Sequence, residues 1–280
     1  ASEISLGLVG SEMCIRDRVP GPEGPAIDPN GNLHLVSADE SSIVRVSNDG
    51  TIKEVATTGG RPNGLVFNAA GEMIVADAEL KAILHINTSG KSEVFVDEYE
   101  GTALGGPNDL CFLPSGDLLF TDPVRRPLPD PAISPVYKVT PAGQVSAFAN
   151  ELAFPNGIAV SEDRSNVYVS ESRAQRLVSF TIDENGYLLD QHLIRRFRDP
   201  GNPDGLAIDT EGNILQSLPG IRAIAYLDKT GTLIDLYHLP DWVPANLAFG
   251  GDDMKTVFVC GVAQNAIYQF RHPVAGLRLI

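Results

Sequence analysis

A tripeptide recurs six times along the chain, and its spacing limits the possible folds more than any other feature. Proline is followed by a variable residue and then by glycine or a close substitute: Pro22-Glu23-Gly24, Pro62-Asn63-Gly64, Pro107-Asn108-Asp109, Pro155-Asn156-Gly157, Pro203-Asp204-Gly205 and Pro244-Ala245-Asn246. The middle residues lie 40, 45, 48, 48 and 41 positions apart. From the second triplet onward an apolar–x–apolar run follows, as in Leu65-Val66-Phe67 and Leu206-Ala207-Ile208. Self-similarity at such a period marks a repeat protein, in which each unit buries its apolar face only against its neighbours.

Inside each unit, short runs of Val, Ile and Leu alternate with glycine-containing turns. The first unit reads Pro25 to Asp28, a turn at Pro29-Asn30-Gly31-Asn32, Leu33 to Asp39, Ile43 to Val46, a turn at Asn48-Asp49-Gly50, and Thr51 to Val55. Runs of this kind divided by Asn-Gly and Asp-Gly turns are antiparallel strands joined by hairpins. Four short strands in roughly 45 residues make one propeller blade. The expected architecture is all-β: a six-bladed β-propeller of four-stranded antiparallel blades around a central channel, filling residues 19–280. Its closing strand is expected from Gly276–Ile280 or from the segment before Pro20. An insertion with five prolines between positions 123 and 135 interrupts the third unit. It reads as a stiff loop forming a rim or lid over one mouth of the channel.

Residues 1–18 stand outside the repeat. The segment Glu12-Met13-Cys14-Ile15-Arg16-Asp17-Arg18 resembles one reading frame of a transposase-based sequencing adapter, so a non-native segment is expected up to Arg18 and the native gene from near Val19. The rest of the composition narrows function by exclusion. A net charge of −15 with no basic stripe argues against nucleic acid. No apolar run reaches the roughly 18 residues of a membrane-spanning helix. A cytoplasmic monomer or weak dimer is expected, with Cys111 and Cys260 as buried free thiols at strand positions.

The chemistry lies in the middle residues of the triplets. In a propeller the innermost strand of each blade faces the channel, and the loop leading into it lies at one mouth. Glu23, Asn63, Asn108, Asn156 and Asp204 are therefore expected to converge there. Converging carboxylate and amide oxygens, with no His or Cys in register, suit a hard cation: Ca²⁺ first, with Mn²⁺, Zn²⁺ or Mg²⁺ as alternatives. Pro-Asn-Gly and Pro-Asp-Gly are also plain turn sequences. Glu23, however, has no turn role that Asn would not fill better. Asp109 stands where other triplets have Gly, either orienting Asn108 or simply sitting in its turn. Arg125, Arg126 and Arg173 are candidates to hold an anionic or hydroxylated substrate, or are solvated loop cations. Asp39, Asp77 and Asp122, each ending a second strand, are expected to bond from blade to blade. No Gly-x-Ser-x-Gly elbow is present, which disfavours covalent hydrolysis.

Gly21-Pro22-Glu23-Gly24-Pro25, Pro107-Asn108-Asp109 with Phe120-Thr121-Asp122-Pro123, Phe154-Pro155-Asn156-Gly157, Pro203-Asp204-Gly205 and Asn246 to Gly251 occur in one order. In that order they resemble the gluconolactonase, senescence-marker-protein and luciferin-regenerating-enzyme family of six-bladed propellers. The resemblance implies a divalent metal, commonly calcium, at Glu23, Asn156 and Asp204, with Asn108 near metal or substrate. It implies hydrolysis of lactones, often sugar lactones. One departure is specific: sugar-lactone members carry a substrate-binding arginine two residues before the third-blade Asn, and here that position is Gly106. The expected activity is that of a metal-dependent lactonase. Asp204 is the base, ahead of Glu23, and Asn108, Asn63, Asp109 and Arg125 contact a small lactone or ester. Two rivals stand beside it, a metal-dependent phosphotriesterase or esterase and a ligand-binding propeller with structural calcium.

Overall fold

The computed structural model describes residues 19–47, 49–125, 127 and 129–278. The described residues form six antiparallel blade sheets in sequence order, each wound outward from an inner strand, and a two-stranded hairpin of Glu98–Tyr99 with Thr102–Ala103. The inner strands are Pro22–Ile27, Pro62–Phe67, Leu110–Phe112, Pro155–Val160, Leu206–Ile208 and Pro244–Gly250, in blades 1 to 6. Among the described residues, blades 1 to 5 have four strands and blade 6 has three. Apart from the strands, the described residues hold two short 3₁₀ turns, Ala38–Glu40 and Pro219–Ile221, and no α-helix. Residues 1–18, where the adapter-like segment falls, lie outside the described residues.

Local chemistry explains the regular hairpins. In the inner turns of blades 1, 2 and 5, an Asx oxygen caps two backbone N–H groups: Asp28 Oδ1 accepts from Asn30 and Asn32, Asn68 from Ala70 and Glu72, and Asp209 from Glu211 and Asn213. Asn87, Asp183 and Asp228 do the same in outer turns. Such side chains mimic a backbone turn and fix the register of the strands they join. Glycine follows where the chain turns left-handed, as at Gly31 with φ 85°.

The core is divided, as a repeat fold requires, into six apolar clusters, one between each pair of neighbouring blades. Val36 and Ile43 of blade 1 meet Val75 and Leu84 of blade 2, for example. The ring closes through the sixth cluster, in which Leu35 and Val44 of blade 1 pack on Phe258 and Ile267 of blade 6. Of the two expected closing strands, the C-terminal one is corrected, and the segment before Pro20 lies outside the described residues apart from Val19, whose N–H donates to the Asn265 carbonyl. Gly276 bridges Asp209, and Leu277 N–H donates to the Ile208 carbonyl, so the C-terminal segment runs under blade 5 and does not widen blade 6. Apolar burial closes the circle. Cys111 and Cys260 are buried free thiols, as expected.

The triplets occupy a special place in this geometry. In blades 1, 2, 4 and 6 the ladder between inner and second strand slips at the triplet: Glu23 pairs with Val36, but the next pair is Ala26 with His34. A bulge of this kind breaks the alternation and re-aims a side chain. The triplet glycine then packs onto the next blade. A Cβ on Gly64 would stand 2.7 Å from the Asn108 carbonyl oxygen, and one on Gly157 would stand 2.5 Å from that of Asp204. Gly24 approaches the Asn63 carbonyl in the same way, and Gly205 packs against the Asn246 side chain. Four of the six triplets therefore rest through their glycine on the following triplet, and the six together form a ring at one mouth.

Candidate active site

Glu23, Asn63, Asn108, Asn156 and Asp204 all lie in this ring. Asn108 and Asn156 are buried, while Glu23, Asn63 and Asp204 are half-buried. Neighbours fix the amides. Asn63 Nδ2 donates to Asn108 Oδ1 at 2.9 Å, so the second triplet orients the third. Asn156 Nδ2 donates to Ser172 Oγ at 3.1 Å, and that hydroxyl donates to the Pro203 carbonyl at 2.6 Å. The Asn156 carbonyl is held by the Thr121 hydroxyl at 2.8 Å. The sequence shows Thr121 only as part of a motif and gives no sign of Ser172. Ser217 Oγ donates to the Pro244 carbonyl in the same manner, and each of these hydroxyls acts across a blade boundary that sequence spacing does not reveal.

Three carboxyl groups share the ring, and each makes it harder for the others to ionise. Burial pushes Asp204 up to about 7, and the charge of Asp109 adds to the rise; Asn156, Arg125 and the Gly205 N–H oppose it. Burial also raises Glu23 well above the usual carboxylate range, with Asp204 and then Asp109 contributing. Asp109 is raised to about 6 by burial, against hydrogen bonds from Leu110 and Ile158 N–H and from the Asn246 side chain. Like charges crowded in a half-dry site cannot all be carried without a compensating cation.

Asp109 and Asn246 have a further position in common. They stand in blades 3 and 6, opposite one another in the ring, at the two triplet positions that lack glycine. Their side chains meet across the channel, and both border a cavity of about 720 Å³ that continues away from the ring. Its walls are inner-strand residues such as Leu65, Val160, Ile208 and Leu247, and its far end carries Asp28, Asn68 and Arg278. Glu23, Asn108, Asn156, Asp204 and Arg125 are not part of that lining. The Asp109–Asn246 pair separates the polar mouth from the apolar channel.

The second-strand carboxylates behave differently from expectation. Asp77 Oδ1 accepts from the N–H groups of Arg61, Glu79 and Leu80, and both oxygens of Asp122 accept from Gly105 and Gly106 at 2.8 Å. Each braces the loop leading into its own blade. Asp39 alone reaches the next blade, pairing with Arg61 at 2.7 Å. Arg125 enters the site from the proline-rich insertion, its Nε donating to the Gly106 carbonyl at 3.1 Å. Arg126 lies outside the described residues.

No group of three His, Cys, Asp or Glu side chains among the described residues is placed to hold a metal. The donor set that the ring offers is mixed: two carboxylates, Glu23 and Asp204, with the side-chain amide of Asn156 bonded to Asp204. Oxygen-only donors carrying two negative charges fit a hard divalent cation, and neutralising those charges would remove the repulsion that raises both groups.

The SMP-30/Gluconolactonase/LRE-like pattern matches residues 21–262. The chain belongs to this family. It is 30% identical to a gluconolactonase of Zymomonas mobilis over 268 residues, covering 85% of this chain and 75% of that protein. It is 27% identical to the diisopropyl-fluorophosphatase of Loligo vulgaris, covering 91% and 90%. The crystal structure of regucalcin, a calcium-binding protein from Agrobacterium tumefaciens, superposes with a TM-score of 0.83 at 20% identity, over 94% of each chain, which is a likeness of fold. No helix among the described residues is long and apolar enough to cross a membrane.

Proposed function

We propose that this family member is a metal-dependent lactonase, with Glu23, Asn156 and Asp204 holding the ion and Asn108 next to it. The observation that carries the reading is the meeting of two mutually repelling carboxylates with ordered amides at one mouth of a propeller. The gluconolactonase relative supports the reaction class. A bound divalent ion, calcium as first choice, supplies polarisation of the lactone carbonyl and stabilises negative charge on its oxygen.

The chain's own residues do the rest. Asp204 accepts a proton from water as the water oxygen bonds to the carbonyl carbon. The ring C–O bond then breaks, and the proton passes to the departing alkoxide, leaving a hydroxy acid. Glu23 would hold the ion together with Asp204 and is the alternative base. Asn108 Oδ1 is engaged by Asn63, which leaves its N–H₂ group to donate to a substrate oxygen. Asp109 supports the site from below through its contact with Asn246.

A pH-indicator assay over a panel of lactones, before and after dialysis against EDTA, tests this reading. Activity should disappear with the chelator and return with Ca²⁺ or Mn²⁺. Turnover that survives full metal removal would overturn it. A second reading, phosphotriester hydrolysis, is favoured by the fluorophosphatase relative, which aligns over nearly the whole chain. Fluorophosphate and aryl phosphotriester substrates in the same assay separate the two.

A further inference from the structure

The insertion between Thr121 and Ser134 brings one cation to the acidic ring, and its surroundings are unusual. The Arg125 side chain fills the space beside Gly106: a Cβ there would lie 3.2 Å from Arg125 Nε and 3.3 Å from its Cδ. The same Nε is committed to the Gly106 carbonyl, and the guanidinium carbon lies 5.7 Å from the centre of the Phe154 ring. The side chain is thus gripped by the loop leading into blade 3 and the one leading into blade 4. Its Nη2 atom is buried and has no hydrogen-bond partner among the described residues.

The available counter-charges do not use that donor. Burial holds the Arg125 guanidinium below its usual range, against the opposing pull of Asp122, Glu23 and Asp204. Asp122 already accepts backbone N–H groups on both oxygens. Glu23 and Asp204 are the proposed ligands of the ion. Among the described residues none of the three comes within ion-pair distance of Arg125. A buried guanidinium donor left unpaired is costly, and the cost is recovered when a bound molecule accepts its hydrogen bonds. The planar fork of arginine matches the two oxygens of a carboxylate or sulfonate. A chain of net charge −15 repels anions in general, so it needs one placed cation to admit them.

We infer that Arg125 is a specificity-determining residue which binds an anionic group on the substrate, so that the preferred substrates are lactones bearing a carboxylate or sulfonate. The inference rests on the lactonase reading for its reaction, and on Arg125 alone for its selectivity. Gly106 makes room for the side chain, Phe154 and the Gly106 carbonyl hold it, and Nη2 is left to meet the ligand.

The matched probes are 5-oxotetrahydrofuran-2-carboxylate and its carboxamide, which differ in charge but hardly in shape. With calcium present, wild-type protein should favour the carboxylate in kcat/KM. Arg125→Ala should lower that preference at least tenfold, chiefly through KM, and Arg125→Lys should lower it by less. A preference within twofold of wild type in folded Arg125→Ala would overturn the inference and leave the lactonase reading intact. Calorimetric titration with tetrahydrofuran-2-carboxylate, which has no scissile bond, reads binding without turnover. If no lactone is hydrolysed but this anion binds at least tenfold more weakly to Arg125→Ala, the anion site stands and the reaction class falls. Should the alanine variant fail to fold in a thermal melt, Arg125→Gln carries the same two comparisons.

Discussion

The same six inner strands build two regions of opposite character. At one mouth lie the triplets that carry Glu23, Asn156 and Asp204, the first two on bulged strands and the two carboxylates in mutual repulsion. Further along, the ladders become regular and the side chains facing the channel turn apolar, enclosing the 720 Å³ cavity. The difference teaches where function can be placed in such a fold. A regular ladder alternates its side chains and builds walls. A bulge breaks the alternation, frees a polar side chain to face the axis, and leaves the strand a little less well paired.

The contrast is tested most severely at Asp204. Asp204→Asn should reduce kcat by about 10²–10⁴-fold, the usual worth of a general base. In metal-free buffer it should also raise the melting temperature, because one of the repelling charges is gone. A fall in both quantities would mean that the carboxylate is structural. In the lower region the signs should reverse. Ile208→Ala, at a buried cavity-lining position, should cost about 2 kcal/mol in urea unfolding, the low end for such truncations, while kcat changes little.

Gly157→Ala lies between these extremes. Its Cβ would press on the Asp204 carbonyl, so about 1–2 kcal/mol of stability and a several-fold loss of kcat should appear together. The smallest effect concerns His34, which packs edge-on against Phe67 with ring centroids 4.9 Å apart. Burial lowers its folded pKa below the ordinary 6.5, although Asp28 pulls the other way. The unfolded chain therefore takes up this proton first as the pH falls. Native stability from this site is complete above about 6.5 and declines below it. Melting temperatures measured from pH 7.5 to 5 should fall less steeply in His34→Phe than in wild type.

Much of this was legible in the sequence because the repeat carries it. Six triplets fixed the number of blades, and the position of Pro-x-Gly before an apolar run placed its middle residue at one mouth. What escaped were side-chain contacts between blades. Thr121 and Ser172 reach backbone carbonyls 35 and 31 residues away. Asp109 and Asn246 looked like imperfect copies of glycine, and only the ring sets blade 3 opposite blade 6 and makes them partners. The closing of blade 6 without a fourth strand among the described residues was illegible for another reason. Apolar side chains such as Phe258 and Ile267 pack across a blade boundary without strand pairing, and a hydrophobic run does not say which of the two it will do.

The glycine of one triplet leaning on the carbonyl of the next has a practical consequence for anyone altering this protein by directed evolution. A change at position 157 repositions residue 204, and one at 64 repositions 108, so libraries that vary one blade at a time will sample mostly clashes. Adjacent triplets should show strong epistasis, and productive variants should emerge as pairs drawn from neighbouring blades.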